Sequence, residues 1–135
     1  MNADPGMVLV DTSVWIELLR SIDSPLRPEM DNLIGDDRAR VCGVVMAELL
    51  QGATTAKDIS AVEGLFQAIP GLKAEDRLWR EAGKLGQRLR LKGAHVGLLD
   101  CYLASVALEH GCRLWSLDKH FSLIARHTDL RLLER

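Results

Sequence analysis

"VLVDTSVWIELL", residues 8–19, decides how the rest of the chain reads. The apolar run 7–10 has the length and branching of a buried strand, and it breaks off at Asp11. Two hydroxyl residues follow, Thr12 and Ser13, either of them a good helix N-cap. An apolar helical rhythm then starts at Val14 and runs to about Arg20. A carboxylate at the tip of a buried strand is costly unless something at that tip requires it.

The same strand-then-helix alternation continues outward. "SIDSPLRP" (21–28) reads as a loop by its prolines. A helix is expected over 29–35, a strand over 39–42 and a helix over 45–51 closed by Gly52, then a helix over 57–67. Residues 68–74 form a short strand at best, because Pro70 does not suit a central position. Over 75–91 the apolar residues Leu78, Ala82, Leu85 and Leu89 fall at spacings of four, three and four, one stripe of a helix. "KGAHVG" (92–97) is a loop, 98–110 a helix stopped by Gly111, 112–117 a strand, 119–127 a helix and 130–134 a candidate last strand. Alternation of this kind predicts an α/β fold, a parallel sheet with helices on both faces.

At 135 residues the chain is expected to be one domain spanning 1–135, able to bury roughly 65–70% of its unfolded surface. Met7 directly precedes the first strand, so residues 1–6 read as a flexible extension, and Met7 as an alternative start. Hydrophobic residues at 47% and charged residues at 27% fit a soluble globular protein. No apolar run approaches the ~18–20 residues of a membrane span, and the N-terminus has no signal pattern, so a cytoplasmic protein is expected. Cys42, Cys101 and Cys112 are odd in number and widely spaced, which reads as buried free thiols. A net charge of −2 neither demands nor excludes nucleic acid.

In open α/β sheets, sites form at the carboxyl ends of the strands. Four acids fall there: Asp11 after the first strand, Glu48 in the helix after the second, Asp100 in the first turn of the 98–110 helix, and Asp118 after the 112–117 strand. Each has a plain structural alternative, such as a cap or a first-turn carboxylate favoured by the helix dipole. Together they suggest a cluster that repels itself unless a cation neutralises it. No lysine or arginine adjoins Asp11, Glu48 or Asp100 in sequence. Hard divalent ions, Mg²⁺ or Mn²⁺, suit such oxygen sets and open phosphate-ester hydrolysis. The hydroxyls of Thr12, Ser13 and Ser116 are placed to orient ligands or touch phosphate.

"VLVDTSVWIELL", "VMAELLQG", "LLDCYLASVALEHG" and "LWSLDKHFSLIA", in that order and spacing, resemble the four acidic motifs of PIN-domain ribonucleases, and most of all the VapC toxins of bacterial toxin–antitoxin pairs. The resemblance covers nearly the whole chain from Met7 and is only general over 53–75. It implies a PIN-like α/β/α sandwich with a central parallel sheet of four to five strands, and a Mg²⁺- or Mn²⁺-dependent endoribonuclease. Carried over by position, Asp11, Glu48, Asp100 and Asp118 form the acidic quartet. Asp11, Asp100 and Asp118 are metal ligands, and Glu48 binds metal or orients the attacking water. Thr12, Ser13 and Ser116 support them. The resemblance also implies a homodimer and a cognate antitoxin laid along an apolar groove, for which Trp15, Ile16 and Leu19 are candidates.

An acidic pocket needs positive charge nearby to hold RNA. At ~100° per residue, Arg77, Arg80, Lys84 and Arg88 share one sector of the 75–91 helix, and Arg90 and Lys92 extend it. This stripe is a candidate RNA backbone contact, set against the alternative of a solvated face. Trp79 is the one attractive base-stacking aromatic, although core packing competes for it. Three other readings stay open. One is a PIN nuclease in RNA processing without a toxin role. Another is a non-catalytic binding module with the acids as caps. The third is a haloacid-dehalogenase-type phosphatase, which wants an Asp where this chain has Ser13.

Overall fold

The structure, a computed structural model, describes residues 6–134. The expected extension over 1–6 lies, save for Gly6, outside the described residues. Four parallel strands make the sheet in the order β3-β2-β1-β4, where β1 is Val8–Val10, β2 Ala39–Cys42, β3 Gly71–Leu72 and β4 Arg113–Trp115. Val8, Leu9 and Val10 are fully buried, as a central strand covered on both faces requires. Val8 pairs with Ala39 on one side and Arg113 on the other, and Val10 with Trp115. Pro70 sits at the outer edge, where only its carbonyl is used, accepting from Val41 N at 3.1 Å. The expected strand over 130–134 is reduced to one parallel bridge, Leu132 against Leu114. The prediction of four to five strands is thus met by four and a single-residue fifth.

Seven helices connect the strands among the described residues: α1 Thr12–Arg20, α2 Arg27–Gly35, α3 Gly43–Gly52, α4 Ala56–Ala68, α5 Arg77–Leu91, α6 Leu98–His110 and α7 His120–His127. The crossovers β1→β2→β3 run one way across the sheet and β3→β4 runs back. Right-handed connection then puts α1–α4 on one face and α5–α6 on the other. The packing agrees: α1 meets α3 and α3 meets α4, while α5 and α7 lie on α6. No described helix is long and apolar enough to cross a membrane.

Local chemistry explains where element bounds differ from the sequence reading. α2 begins at Arg27, inside the expected loop, because Pro28 fits a first turn whose N–H groups lack partners in any case. α3 begins at Gly43, two residues early, straight from the end of β2. α5 begins at Arg77 rather than residue 75, and β4 is shorter than 112–117. α6 shows no amphipathic period because residues 101–107 are all buried. α5 packs its Leu78, Ala82, Leu85 and Leu89 stripe against it in antiparallel sense: Arg77 reaches Glu109, and Gly86 faces Cys101. α6 ends at Gly111 in the left-handed region (φ 66°), with Cys112 N bonded to Ala107 O at 2.9 Å. That turn feeds the chain directly into β4. The three cysteines are buried and free, and burial pushes each thiol upward.

Candidate active site

Asp11 stands at the carboxyl end of β1, and Ser116 and Asp118 follow β4. These two strands are neighbours whose connections leave in opposite directions, the switch point where open α/β sheets hold ligands. Asp11 occupies the N-cap position of α1, yet its side chain makes no cap bond. Neither Thr12 nor Ser13 caps the helix, contrary to the sequence expectation, because their hydroxyls are used across the site.

Asp11 is 8% exposed. Its Oδ2 accepts from Ser13 Oγ at 2.9 Å and Ser116 Oγ at 2.6 Å. Ser13 Oγ in turn accepts from Leu117 N at 3.0 Å, and Ser116 Oγ from Asp118 N at 2.9 Å. The main chain is fixed by Asp11 N donating to Trp115 O at 2.8 Å. One oxygen of Asp11 is therefore satisfied by two hydroxyls. Among the described residues nothing hydrogen-bonds Oδ1, which is left for another ligand. Thr12 Oγ1 donates to Glu48 Oε1 at 2.7 Å, tying the start of α1 to the second turn of α3.

Asp100 comes from the first turn of α6, where the helix dipole favours a carboxylate. Its pKa is nonetheless raised, first by burial, then by the charges of Asp118 and Asp11, with Glu48 adding and His120 opposing. The other three acids thus all act on Asp100. The tightest grouping is Asp100, Asp118 and His120, from each of which one ligand atom lies within 4.8 Å of the others. Asp11 and Glu48 are not part of that grouping, although both charges reach Asp100. Asp118 is not the N-cap of α7, a position held by Lys119, but its Oδ1 accepts from His120 N at 2.9 Å in the turn that opens that helix. His120 is the residue the sequence reading left without a role. Its only signal there is its position two residues after Asp118.

Among the described residues no lysine or arginine lies at ion-pair distance from any of the four acids. A part-buried oxygen set with only a histidine, and no lysine or arginine, beside it fits a hard divalent cation.

The basic stripe is less uniform than its spacing suggests. Arg77 is paired with Glu75 at 3.1 Å and with Glu109, which keeps its guanidinium firmly protonated and locally neutralised. Glu109 is nine residues along α6 from Asp100, about 13 Å at 1.5 Å per residue. Lys84 lies 3.5 Å from Glu81, while Arg80 and Arg88 are exposed. Towards the Asp100 end of α6, Arg90 lines a cleft of about 570 Å³ with Gln87, His95 and Leu98. Trp79 is 44% exposed, but one face is stacked on Tyr102 with centroids 3.8 Å apart.

On the opposite face of the sheet, Ile16 and Leu19 are exposed and line a groove of about 380 Å³ with Leu49, Val62 and Lys57. Glu48 lines the same groove, so its inner end adjoins the acids. Trp15, buried, contributes to a neighbouring groove with Leu19, Met30 and Ile34.

A PIN domain family model matches residues 8–127. Ribonuclease VapC32 of Mycobacterium tuberculosis is 37% identical over 131 residues, covering 95% of this chain and 98% of that protein. VapC ribonuclease Mb1587 of Mycobacterium bovis is 33% identical over 129 residues, covering 93% and 96%. Among solved structures, VapBC2 from Rickettsia felis bound to a DNA fragment from its promoter superposes with a TM-score of 0.80 at 17% identity, covering 94% of this chain and 97% of that one.

Proposed function

The chain belongs to the PIN-domain family and, within it, to the VapC ribonucleases, and from that premise we propose that it is a Mg²⁺- or Mn²⁺-dependent endoribonuclease, the toxin of a toxin–antitoxin pair. The observation that carries the reading is the meeting of Asp11, Glu48, Asp100 and Asp118 at the sheet's switch point without a lysine or arginine partner among the described residues.

Asp11, whose Oδ1 accepts no hydrogen bond among the described residues, together with Asp100 and Asp118, would hold the cation. When bound, such an ion neutralises phosphate charge and lowers the pKa of a water. Ser13 and Ser116 fix the Asp11 carboxylate so that one oxygen only is presented. Thr12 holds Glu48 by one oxygen, leaving the other to orient the attacking water or join the metal set. In-line attack by water on the scissile phosphorus leaves a 5′-phosphate and a 3′-hydroxyl. Arg80, Lys84 and Arg88 hold the RNA backbone, with Arg77 weakened in that role by its two glutamates. The grooves beside Ile16, Leu19 and Trp15 receive the antitoxin, and the inner end of the first lets an antitoxin cation reach Glu48. The protein acts as a single domain, in a homodimer, in the cytoplasm.

The test is cleavage of RNA by the purified, antitoxin-free protein with Mg²⁺ or Mn²⁺, run beside EDTA and Asp11→Asn. Discrete cuts are expected, abolished by EDTA and reduced at least about a hundredfold in the variant, since even outer partners of a metal site are worth 10–100-fold. A 2′,3′-cyclic phosphate on the new ends, or full activity in EDTA, overturns the mechanism.

A further inference from the structure

We propose that His120 supplies a nitrogen donor to the same metal site and thereby biases it toward Mn²⁺ over Mg²⁺. This deepens the reading above and rests on it. The ring nitrogen Nδ1 is 3.3 Å from Asp118 Oδ1 and 3.9 Å from Asp100 Oδ2. Ligands on a six-coordinate ion with bonds near 2.1 Å are about 3 Å apart when adjacent and about 4.2 Å when opposite. The Nδ1 distances to both carboxylates fall within the range of ligands sharing one ion, and all three residues offer a ligand atom within 4.8 Å of the others.

They do not stand there because of a hydrogen bond from the ring. Among the described residues neither ring nitrogen of His120 makes one, and Asp118 Oδ1 is instead bonded to the main-chain N–H of His120. That bond ties the residue to the carboxylate it faces. Phe121, 1% exposed, anchors the same turn of α7 in the core. The His120 side chain itself is 59% exposed.

The competing arrangement is an imidazolium lying against two carboxylates, leaving an all-oxygen metal centre. The two differ in metal preference. Mg²⁺ takes oxygen ligands and keeps its waters, whereas imidazole is a ligand of the transition metals. A nitrogen in the set therefore costs Mg²⁺ more than Mn²⁺.

The experiment loads the full-length protein with Mn²⁺ and reads directly bound ¹⁴N by electron spin-echo envelope modulation, with Mn²⁺ and Mg²⁺ titrated calorimetrically in parallel. Wild type is expected to show strong ¹⁴N modulation that disappears in His120→Ala and in His120→Gln. Mn²⁺ affinity should fall by about tenfold or more in both, with a smaller change for Mg²⁺. Circular dichroism checks that the variants, altered at an exposed residue, are folded. Mn²⁺ bound in an Asp100-dependent manner without ¹⁴N modulation in wild type overturns the role of His120 and leaves the metal centre standing. Modulation that persists in His120→Ala overturns it equally. Absence of any Mn²⁺ binding, with Asp100→Asn indistinguishable from wild type, overturns the metal centre and this inference together.

Discussion

Ser116 shows how much one hydroxyl carries here. It donates to Asp11 and accepts from Asp118 N, so it couples two acids 107 positions apart in the chain. Ser116→Ala is expected to cost about 1–2 kcal/mol of stability and about 10–100-fold in metal affinity, read by denaturant melts and by calorimetry. Asp100 gives a pH signature. Its folded pKa lies above the ordinary 3.8, so the folded state binds more protons than the unfolded. Stability of the metal-free protein should fall as pH rises from 3.8 through that raised value, and be fully regained only below 3.8. Asp100→Asn should flatten this slope and raise the melting temperature in EDTA at pH 7. A lower melting temperature in the variant contradicts the account. Asp11, Asp100 and Asp118 drew notice in the sequence because they follow a strand or open a helix, while Glu48, in the second turn of α3, drew notice only beside them. The hydroxyl ties between them were not, since nothing local relates Ser13 to Ser116. Nor was the pairing of Arg77 with Glu109, which follows from the antiparallel packing of two helices.

At the scale of elements, the clearest pattern made the firmest structure. The α5 stripe is buried as its spacing requires, and Leu85→Ala, which opens a cavity against α6, should cost about 2–5 kcal/mol. Gly111 is the other sensitive point. Its left-handed turn is what closes α6 and aims the chain into β4. Gly111→Ala is expected to cost about 1–2 kcal/mol, checked by chemical denaturation, and to loosen the Ser116–Asp118 segment downstream. Helix starts were read less well than helix ends. Pro28 resembles a loop residue in sequence and serves as a first-turn residue in α2. Asp37 takes a left-handed turn (φ 55°) after α2, the place of a glycine, which composition gave no reason to expect. Trp79 divides itself between solvent and Tyr102, a compromise invisible to periodicity.

For the whole molecule, alternation alone implied a parallel sheet covered on both faces, whereas the strand order β3-β2-β1-β4 was not legible, because right-handed crossovers fix the face of each helix and not the order of the strands. Which acids meet is a consequence of the same topology, because parallel strands put all their carboxyl ends on one edge. Ligand linkage then gives a global expectation. At a metal concentration a hundred times its dissociation constant the protein should gain about 2.7 kcal/mol, visible as a thermal shift with Mn²⁺ that Asp11→Asn lacks. No shift in a folded sample would favour acids serving only as helix caps.

The pairing of β1 with β4 also sets a schedule. A ribosome makes the chain from its N-terminus, so Asp11 emerges early and waits for a neighbour encoded near the other end. Until β4 is laid beside β1, the growing polypeptide lacks Asp118 and the hydroxyl of Ser116, so the cluster that Asp11, Glu48 and Asp100 belong to is incomplete. A chain stopped at Gly111 should take up no Mn²⁺ by calorimetry. The RNA-cutting centre is thereby completed only after β4 and the segment that follows it have been made and laid beside the first strand.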